Sequence, residues 1–325
     1  MKKNIAVLMG GYSSEFHVSL KSGQVVYEHL NKDKYNPYKV IITKDRWYLE
    51  DDNKKTYDVD KSDFSVTVNN NKIAFDAVFN TIHGTPGEDG YMQGYFALLN
   101  IPQTSCNMPQ ACLTFNKRDT LSVLKPYGIA CAVSFYLNKG QKIDEQAIID
   151  KVGLPCFVKA NKSGSSFGIS KVYHKEDLAE AIAVAFKEDD EILIESFLDG
   201  TEVSVGVINF KGEITVLPIT EIVSENDFFD YEAKYEGKSQ EITPARITEA
   251  QKEAVSKEAK RIYEILKLEG FSRSEFIFHD GLPHFIEVNT TPGLSEQSIL
   301  PQQALCAGIS LEALFENAIE MALNK

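Results

Sequence analysis

The chain is expected to be an α/β protein, with a parallel sheet in its first third and an α+β remainder that is richer in strands. Three observations predict this. Short apolar runs alternate with helical patterns over the first hundred residues, and glycines stand at strand ends. From Glu191 onward, three apolar runs follow one another with no helical pattern between them. The length, 325 residues at 43% hydrophobic and 25% charged, suffices for two or three domains with substantial cores.

The elements follow in order. "NIAVLMGG" reads as a strand ending in two glycines, and Val18, Val25, Val26 and Leu30 mark the helix after it. "YKVIIT" is a second strand. Asp45 to Asn71 is polar and charge-rich and is expected to be an irregular hairpin region. "FDAVFN" is another strand, and "TIHGTPGEDGYMQGYFALLN" a glycine-rich loop opening a helix. That alternation predicts a parallel, doubly wound sheet. "IPQTSCNMP", with two prolines, reads as a linker. From Ala111 to about Asp190 the pattern is helix, strand, helix, strand, loop, strand, helix, centred on "LPCFVKANKSGSSFGISKV". "EILIESFL", "TEVSVGVINF" and "EITVLPIT" are strands. The polar stretch from Ser224 to Pro244 is long for a compact domain, which favours a functional loop. Ala254, Val255, Ala259, Ile262, Ile265 and Leu266 recur at helical spacing and predict a helix over roughly Thr248 to Leu268. Two strands and two helices complete the chain.

Composition excludes several classes of function. The net charge is −13 and no block of lysine and arginine stands out, so neither nucleic acid nor an anionic membrane is an expected partner. The five cysteines are scattered and show no CxxC pair, which argues against zinc and against a disulfide framework. The apolar run from Ile5 to Met9 is too short for a signal-peptide core, and no segment approaches a membrane span. The cytoplasm is the default location.

Four stretches carry candidate chemistry. In "FSRSEFIFHDGLPHFIEVNTTPG" two strands flank Asp280-Gly281, a favoured hairpin dipeptide. A three-residue loop from Asp280 to Leu282 would set Glu275 opposite Glu287 and Arg273 opposite Asn289. Facing carboxylates repel. A divalent cation would reverse that, and two carboxylates with an amide suit Mg²⁺. A solvated hairpin with incidental charges is the other reading. Lys159, near the end of an apolar strand and followed by "NKSGSSFG", can place a cation and backbone N–H groups around phosphates, although most Gly/Ser turns are only turns. Lys117 in "FNKRDT" opens a helix, a position more often at the surface. In "MGGYSSEFHVS", Glu15 at a helix start either favours the helix dipole or meets a cationic ligand group. "HGTPGEDG" surrounds His83, Glu88 and Asp89 with turn residues, without a spacing that makes a metal site. No Ser/His/Asp or Cys/His arrangement is recognisable, so no covalent enzyme intermediate is expected.

In this order, "GGYSSEFHVS", "HGTPGEDGYMQG", "NKRDT", "FVKANKSGSSFG", "IESFLDGTEVSV", "FFDYEAKY", "RSEF" and "IEVNTTPGLSEQS" resemble the D-alanine–D-alanine ligases of the ATP-grasp superfamily, nearly end to end. The resemblance implies a three-domain ATP-grasp fold. Its parts would be an N-terminal substrate domain at 1–103, a central domain at 104–190 and a catalytic domain at 191–325, with ATP between the last two. It implies a ligase that phosphorylates the carboxylate of one D-alanine and lets the amine of a second attack the acyl phosphate, for peptidoglycan synthesis. By motif, Glu15 would bind the first ammonium, and Ser165, Glu15 and Tyr235 would close a mobile loop. His83 would lie near the first substrate. Lys117, Lys159 and Lys234 would contact phosphates. Glu195, Ser196, Phe197 and Leu198 would form the adenine connection, with Glu202 toward the ribose. Glu275, Glu287 and Asn289 would hold two Mg²⁺ ions, which Mn²⁺ can replace. Arg273 and the Gly293 N–H would stabilise the oxyanion, and Ser298 would bind the second carboxylate. A homodimer follows from the resemblance alone.

Three positions depart from the family pattern: Glu275 where Asp is frequent, Ser163 where an acid often precedes the loop glycine, and Ser196 where lysine is usual. The alternatives are a D-alanine–D-serine or D-alanine–D-lactate ligase and a non-catalytic nucleotide-binding protein of the same fold. "EAKY", with Tyr235, resembles the dipeptide-forming type, and the intact Arg273, Glu275, Glu287 and Asn289 argue against loss of catalysis.

Overall fold

The structure is a computed structural model that describes residues 2–162, 164, 168–224 and 239–324. Three sheets organise it. In the first, β1 (Lys3–Gly10) lies parallel to β2 (Tyr35–Ile42) and to β7 (Ala77–Asn80). Helix α1 (Phe16–His29) makes the crossover from β1 to β2. Ile5, Val7 and Met9 pack on one face with Val26 and Leu30, while Ala6 and Leu8 pack on the other with Val40 and Ile42. A strand buried on both faces reads as one continuous apolar run, which is why "IAVLM" shows no alternation.

The stretch expected to be irregular is instead regular sheet. β3 (Trp47–Glu50), β4 (Thr56–Asp60), β5 (Ser65–Val68) and β6 (Asn71–Ile73) extend the sheet antiparallel in the order β6-β5-β4-β3-β2-β1-β7. They read as polar because only one face is buried. Leu49, Val59 and Val66 join Phe64 against Met92 and Phe96 of α2 (Tyr91–Leu98).

After α3 (Met108–Phe115) and α4 (Lys117–Leu124) comes a four-stranded antiparallel sheet. It holds β8 (Ser134–Asn138), β9 (Cys156–Ala160), β10 (Ser170–Val172) and β11 (Glu191–Ser196) in the order β10-β9-β11-β8. This sheet therefore runs on to Ser196, past the expected border at residue 190. Helices α5 (Glu145–Val152) and α6 (Leu178–Glu188) bury one face through Val158, Ile192 and Ile194. The alternate residues Phe157, Lys159, Leu193 and Glu195 point the other way.

The third sheet is antiparallel, ordered β15-β14-β12-β16-β17 with β13 beside β12. Its strands are β12 (Thr201–Phe210), β13 (Glu213–Val216), β14 (Thr220–Ser224), β15 (Ser239–Ile242), β16 (Phe271–His279) and β17 (Leu282–Asn289). Helix α7 (Glu249–Ile265) starts at a Thr248–Gln251 capping box, and its Val255, Ala259 and Ile262 cover Val203, Val205 and Phe276. On the opposite face Ile208 and Phe271 pack with Leu300 and Ala304, while Gly206 and Ser204 stand opposite Arg273 and Glu275. Helices α8 (Ile299–Cys306) and α9 (Leu311–Leu323) close the chain, and Leu314, Phe315 and Ile319 of α9 return to the core around Ile5 and Val7. Among the described residues, no helix is long and apolar enough to cross a membrane.

Candidate active site

The β16–β17 hairpin supplies the acidic centre. Its turn is two residues, Asp280 and Gly281, with φ of 50° and 78°, the left-handed pair of a type I′ turn. His279 thus pairs with Leu282, one residue tighter than expected. A bulge between Glu275 and Phe276 takes up Ile286 and restores the pairs Glu275–Glu287 and Arg273–Asn289. The two facing carboxylates are each matched by a cation. Arg273 Nη1 lies 2.8 Å from Glu275 Oε1, and Lys117 Nζ lies 3.2 Å from Glu287 Oε2. Asn289 Oδ1 accepts the Thr291 N–H at 2.8 Å.

Lys117 is aimed by its helix start. The Asn116 side chain caps α4 through the Asp119 N–H. Asn161, two residues after Lys159, donates to Asn116 Oδ1 at 2.9 Å and to Glu191 Oε2 at 3.0 Å, and accepts from the Arg118 N–H at 2.8 Å. One buried amide therefore ties the element carrying Lys117 to the strand carrying Lys159. Lys159 Nζ pairs with Glu195 Oε2 at 2.7 Å, both groups buried. Burial pushes the ammonium pKa down, but Glu195 above all, then Glu287 and Glu202, push it up, and the net direction is up. Lys159 is thus held charged between the two sheets. Ser196 donates its N–H to Val133 O at 2.9 Å and accepts the Val133 N–H on Oγ at 3.0 Å. Phe197 donates to Pro155 O, and Leu198 is buried. Glu202 lies on β12 beside Ile277 of β16.

At the N-terminal side, His83 is buried and its Nε2 lies 3.4 Å from Ser22 Oγ, which accepts the Leu294 N–H at 3.1 Å. Burial holds the imidazole pKa below its ordinary value against Glu15 and a backbone hydrogen bond to Thr291, with Arg273 adding to the depression. Glu15 reaches the Gly/Ser loop: a Cβ at Gly164 would stand 2.7 Å from its Oε2. A Cβ at Gly293 would stand 2.8 Å from Ser298 Oγ, so these two also adjoin. Ser165, Tyr235 and Lys234 lie outside the described residues.

The cleft therefore lines up a buried lysine–glutamate pair, an acidic hairpin with its own arginine and lysine, and a histidine–glutamate corner. Two family models match the chain, one for the D-ala D-ala ligase N-terminus over residues 4–106 and one for the C-terminus over residues 123–320. The chain belongs to the D-alanine–D-alanine ligase family. It is 65% identical to the D-alanine–D-alanine ligase of Flavobacterium johnsoniae over 99% of both chains, and 59% identical to that of Christiangramia forsetii over the whole of both. Among solved structures, a D-Ala:D-Ser ligase from Enterococcus faecalis matches at 31% identity with a TM-score of 0.87, covering 99% of this chain and 100% of that one. A D-alanine–D-alanine ligase from Bacillus anthracis complexed with ATP matches at 29% with a TM-score of 0.80, covering 99% and 98%. The fold is that of the ATP-grasp ligases, and membership of the D-alanine–D-alanine ligase family makes the chain an enzyme of that class.

Two residues of this ligase chain hold places that their motifs do not announce. Glu88 is buried: its Oε2 accepts the Gly84 N–H at 2.9 Å, and burial, helped by Glu15 and Glu287, pushes its pKa to about 8. In sequence it is one acid in a glycine loop, and only the folded loop buries it. Ser22 joins His83 to Leu294 from the middle of α1, where a serine carries no signal.

Proposed function

We propose that this chain joins two D-alanines into D-alanyl-D-alanine at the expense of ATP, for peptidoglycan synthesis in the cytoplasm. One observation carries the assignment of residues. Arg273, Glu275, Glu287 and Asn289 stand in register, and Glu287 both pairs with Lys117 and acts on the Lys159 ammonium that pairs with Glu195. Lys117 and Lys159 neutralise phosphate charge, with Lys234 as a third. Glu195 to Leu198 receive the adenine and Glu202 the ribose. Glu15 takes the first D-alanine's ammonium beside His83. Arg273 and the Gly293 N–H face the oxyanion of the acyl-transfer step, and Ser298 orients the second carboxylate. Ser165 and Tyr235 complete the closing set with Glu15. Phosphoryl and acyl transfer depend on such positioning and charge matching more than on covalent help.

The acidic pair fits a divalent cation. Its donors are oxygens only, and the two carboxylates stand in register, each balanced here by a side-chain cation. Glu275, Glu287 and Asn289 would hold Mg²⁺ or Mn²⁺, which supplies charge neutralisation to the phosphates. A homodimer is the assembly this reading expects, and Tyr91 and Leu98, 74% and 85% exposed on α2, are apolar surface it would cover.

The test is phosphate release by the purified chain with ATP, Mg²⁺ and D-alanine. Release that does not depend on D-alanine would sink the ligase reading. Offering D-serine or D-lactate as second substrate separates the related specificities: preferential incorporation of either would replace D-alanine in that role.

A further inference from the structure

The two oxygens of Glu195 have different partners. Oε2 holds Lys159 at 2.7 Å, while Oε1 accepts from Ser134 Oγ at 3.3 Å. Lys125 Nζ donates to the same Ser134 Oγ at 3.3 Å. Ser134 and Glu195 are each 4% exposed, whereas Lys125 lies at the surface and lines an open cavity of about 590 Å³ together with Ser122, Cys131 and Lys151. The contacts thus form a line from a solvated cation, through one buried hydroxyl, to the carboxylate and then to Lys159. Ser134 Oγ also lies 3.1 Å from Ala132 O, and a hydroxyl has one proton to give. A cation donating to that oxygen polarises its proton toward an acceptor, and the carboxylate is the stronger one.

The arrangement matters when Lys159 changes partner. A phosphate that recruits Lys159 takes from Glu195 its closest cation, and a buried carboxylate left without compensation is costly. Among the described residues, Ser134 is the remaining hydrogen-bond donor to Glu195. We propose that Ser134 and Lys125 are positioning residues of the nucleotide site, which hold Glu195 in place and balance its charge while Lys159 turns to the phosphates. Neither touches the nucleotide; both act through Glu195. The proposal rests on the assignment of Lys159 and Glu195 to ATP.

The experiment measures KM for ATP and for D-alanine, with the Kd for ADP by calorimetry, in the full chain and in Ser134→Ala, Lys125→Met, Lys125→Arg and Glu195→Gln. Loss of a hydrogen bond to a charged group predicts roughly tenfold weaker ATP and ADP binding for Ser134→Ala. The D-alanine KM should stay within about twofold of wild type, a split that a general structural defect does not produce. Lys125→Met should move the same way by a smaller factor, and Lys125→Arg should restore binding. The Ser134→Ala/Glu195→Gln double variant should lose less than the product of the single losses, since both act on one contact. Unchanged nucleotide binding in Ser134→Ala, or an equal rise in both KM values, overturns the proposal. Should Ser134→Ala fail to fold, the surface pair Lys125→Met and Lys125→Arg decides alone, and equal nucleotide affinity in both overturns it. If Glu195→Gln weakens nucleotide binding and the relay variants do not, only the relay is wrong. If Glu195→Gln also binds normally, the ATP assignment falls with it.

Discussion

At pH 7 the Glu88 carboxyl keeps its proton, and replacing it by glutamine should change the pH dependence of stability in a calculable way. Burial raises its pKa first, Glu15 and Glu287 raise it further, and the Gly84 N–H and Lys117 oppose them; the outcome is about 8 against an ordinary 4.5. The folded chain therefore binds this proton at pH values where the unfolded chain has released it. Stability falls with pH in that window, by about 1.4 kcal/mol per unit. From pH 5 to pH 8 this amounts to about 4 kcal/mol, an upper figure for so enclosed a group. Glu88→Gln has no such proton and keeps an acceptor for Gly84. The stability of the variant relative to wild type should accordingly rise from pH 5 to pH 8 and level off above. His83 titrates in the opposite sense: its folded pKa is depressed, so its contribution is lost as pH falls below its ordinary 6.5. It is common to both proteins and largely cancels in the difference. Urea unfolding at pH 5, 6.5 and 8, with EDTA to keep divalent ions off the neighbouring carboxylates, measures the gap. A gap that stays constant within about 0.5 kcal/mol across that range, near the limit of the method, would refute the buried-proton reasoning.

Three other substitutions test the cleft. Glu287→Gln removes the charge that Lys117 meets at 3.2 Å while keeping the side-chain volume; kcat should fall about a hundredfold or more across a Mg²⁺ titration, with the urea midpoint little changed. Gly293→Ala would drive a Cβ to 2.8 Å from Ser298 Oγ; steady-state kinetics should show a roughly tenfold or greater loss of kcat/KM for the second D-alanine, with ADP binding by calorimetry unaltered. Gly206→Ala would bring a Cβ to 2.4 Å from Gln303 Oε1 and break the bonds Gln303 Nε2 makes to Ser204 O and Thr220 Oγ1, lowering unfolding free energy in urea by about 2 kcal/mol.

Much of the architecture is legible because local pattern and burial agree. The unbroken run Ile5 to Met9 announces a strand covered on both sides, and Val255, Ala259 and Ile262 show the one face that α7 buries. Legibility fails where tertiary context gives polar residues their place. From residue 45 to the end of β6 no strand buries more than two side chains, such as Leu49 and Val59, so short alternations drown in turn residues and charge. The same limit hides Ser22 and Asn161. Each takes its role from partners tens to hundreds of residues away, and neither stands in a spacing that marks a partner.

The hairpin shows how a strand register can be read correctly through a wrong turn. Two demands meet on β17. The core requires Phe285, opposite Phe276, to pack edge to face at 5.9 Å under α7. The cleft requires Glu287 opposite Glu275. On a regular strand Phe285 and Glu287 share a face, so burying the phenylalanine would drive the carboxylate into the core. The two-residue turn alone makes matters no better, since it would set Glu275 against Ile286. Letting Ile286 bulge resolves both demands: the strand changes face at that residue, Phe285 stays with Val288 in the core, and Glu287 and Asn289 turn to the cleft beside Glu275 and Arg273. A three-residue loop and a two-residue loop with one bulged residue contain the same number of residues between Glu275 and Glu287, so charge pattern alone cannot tell them apart. What separates them is the depth at which Phe285 is buried, a property of packing against α7 rather than of spacing along the strand.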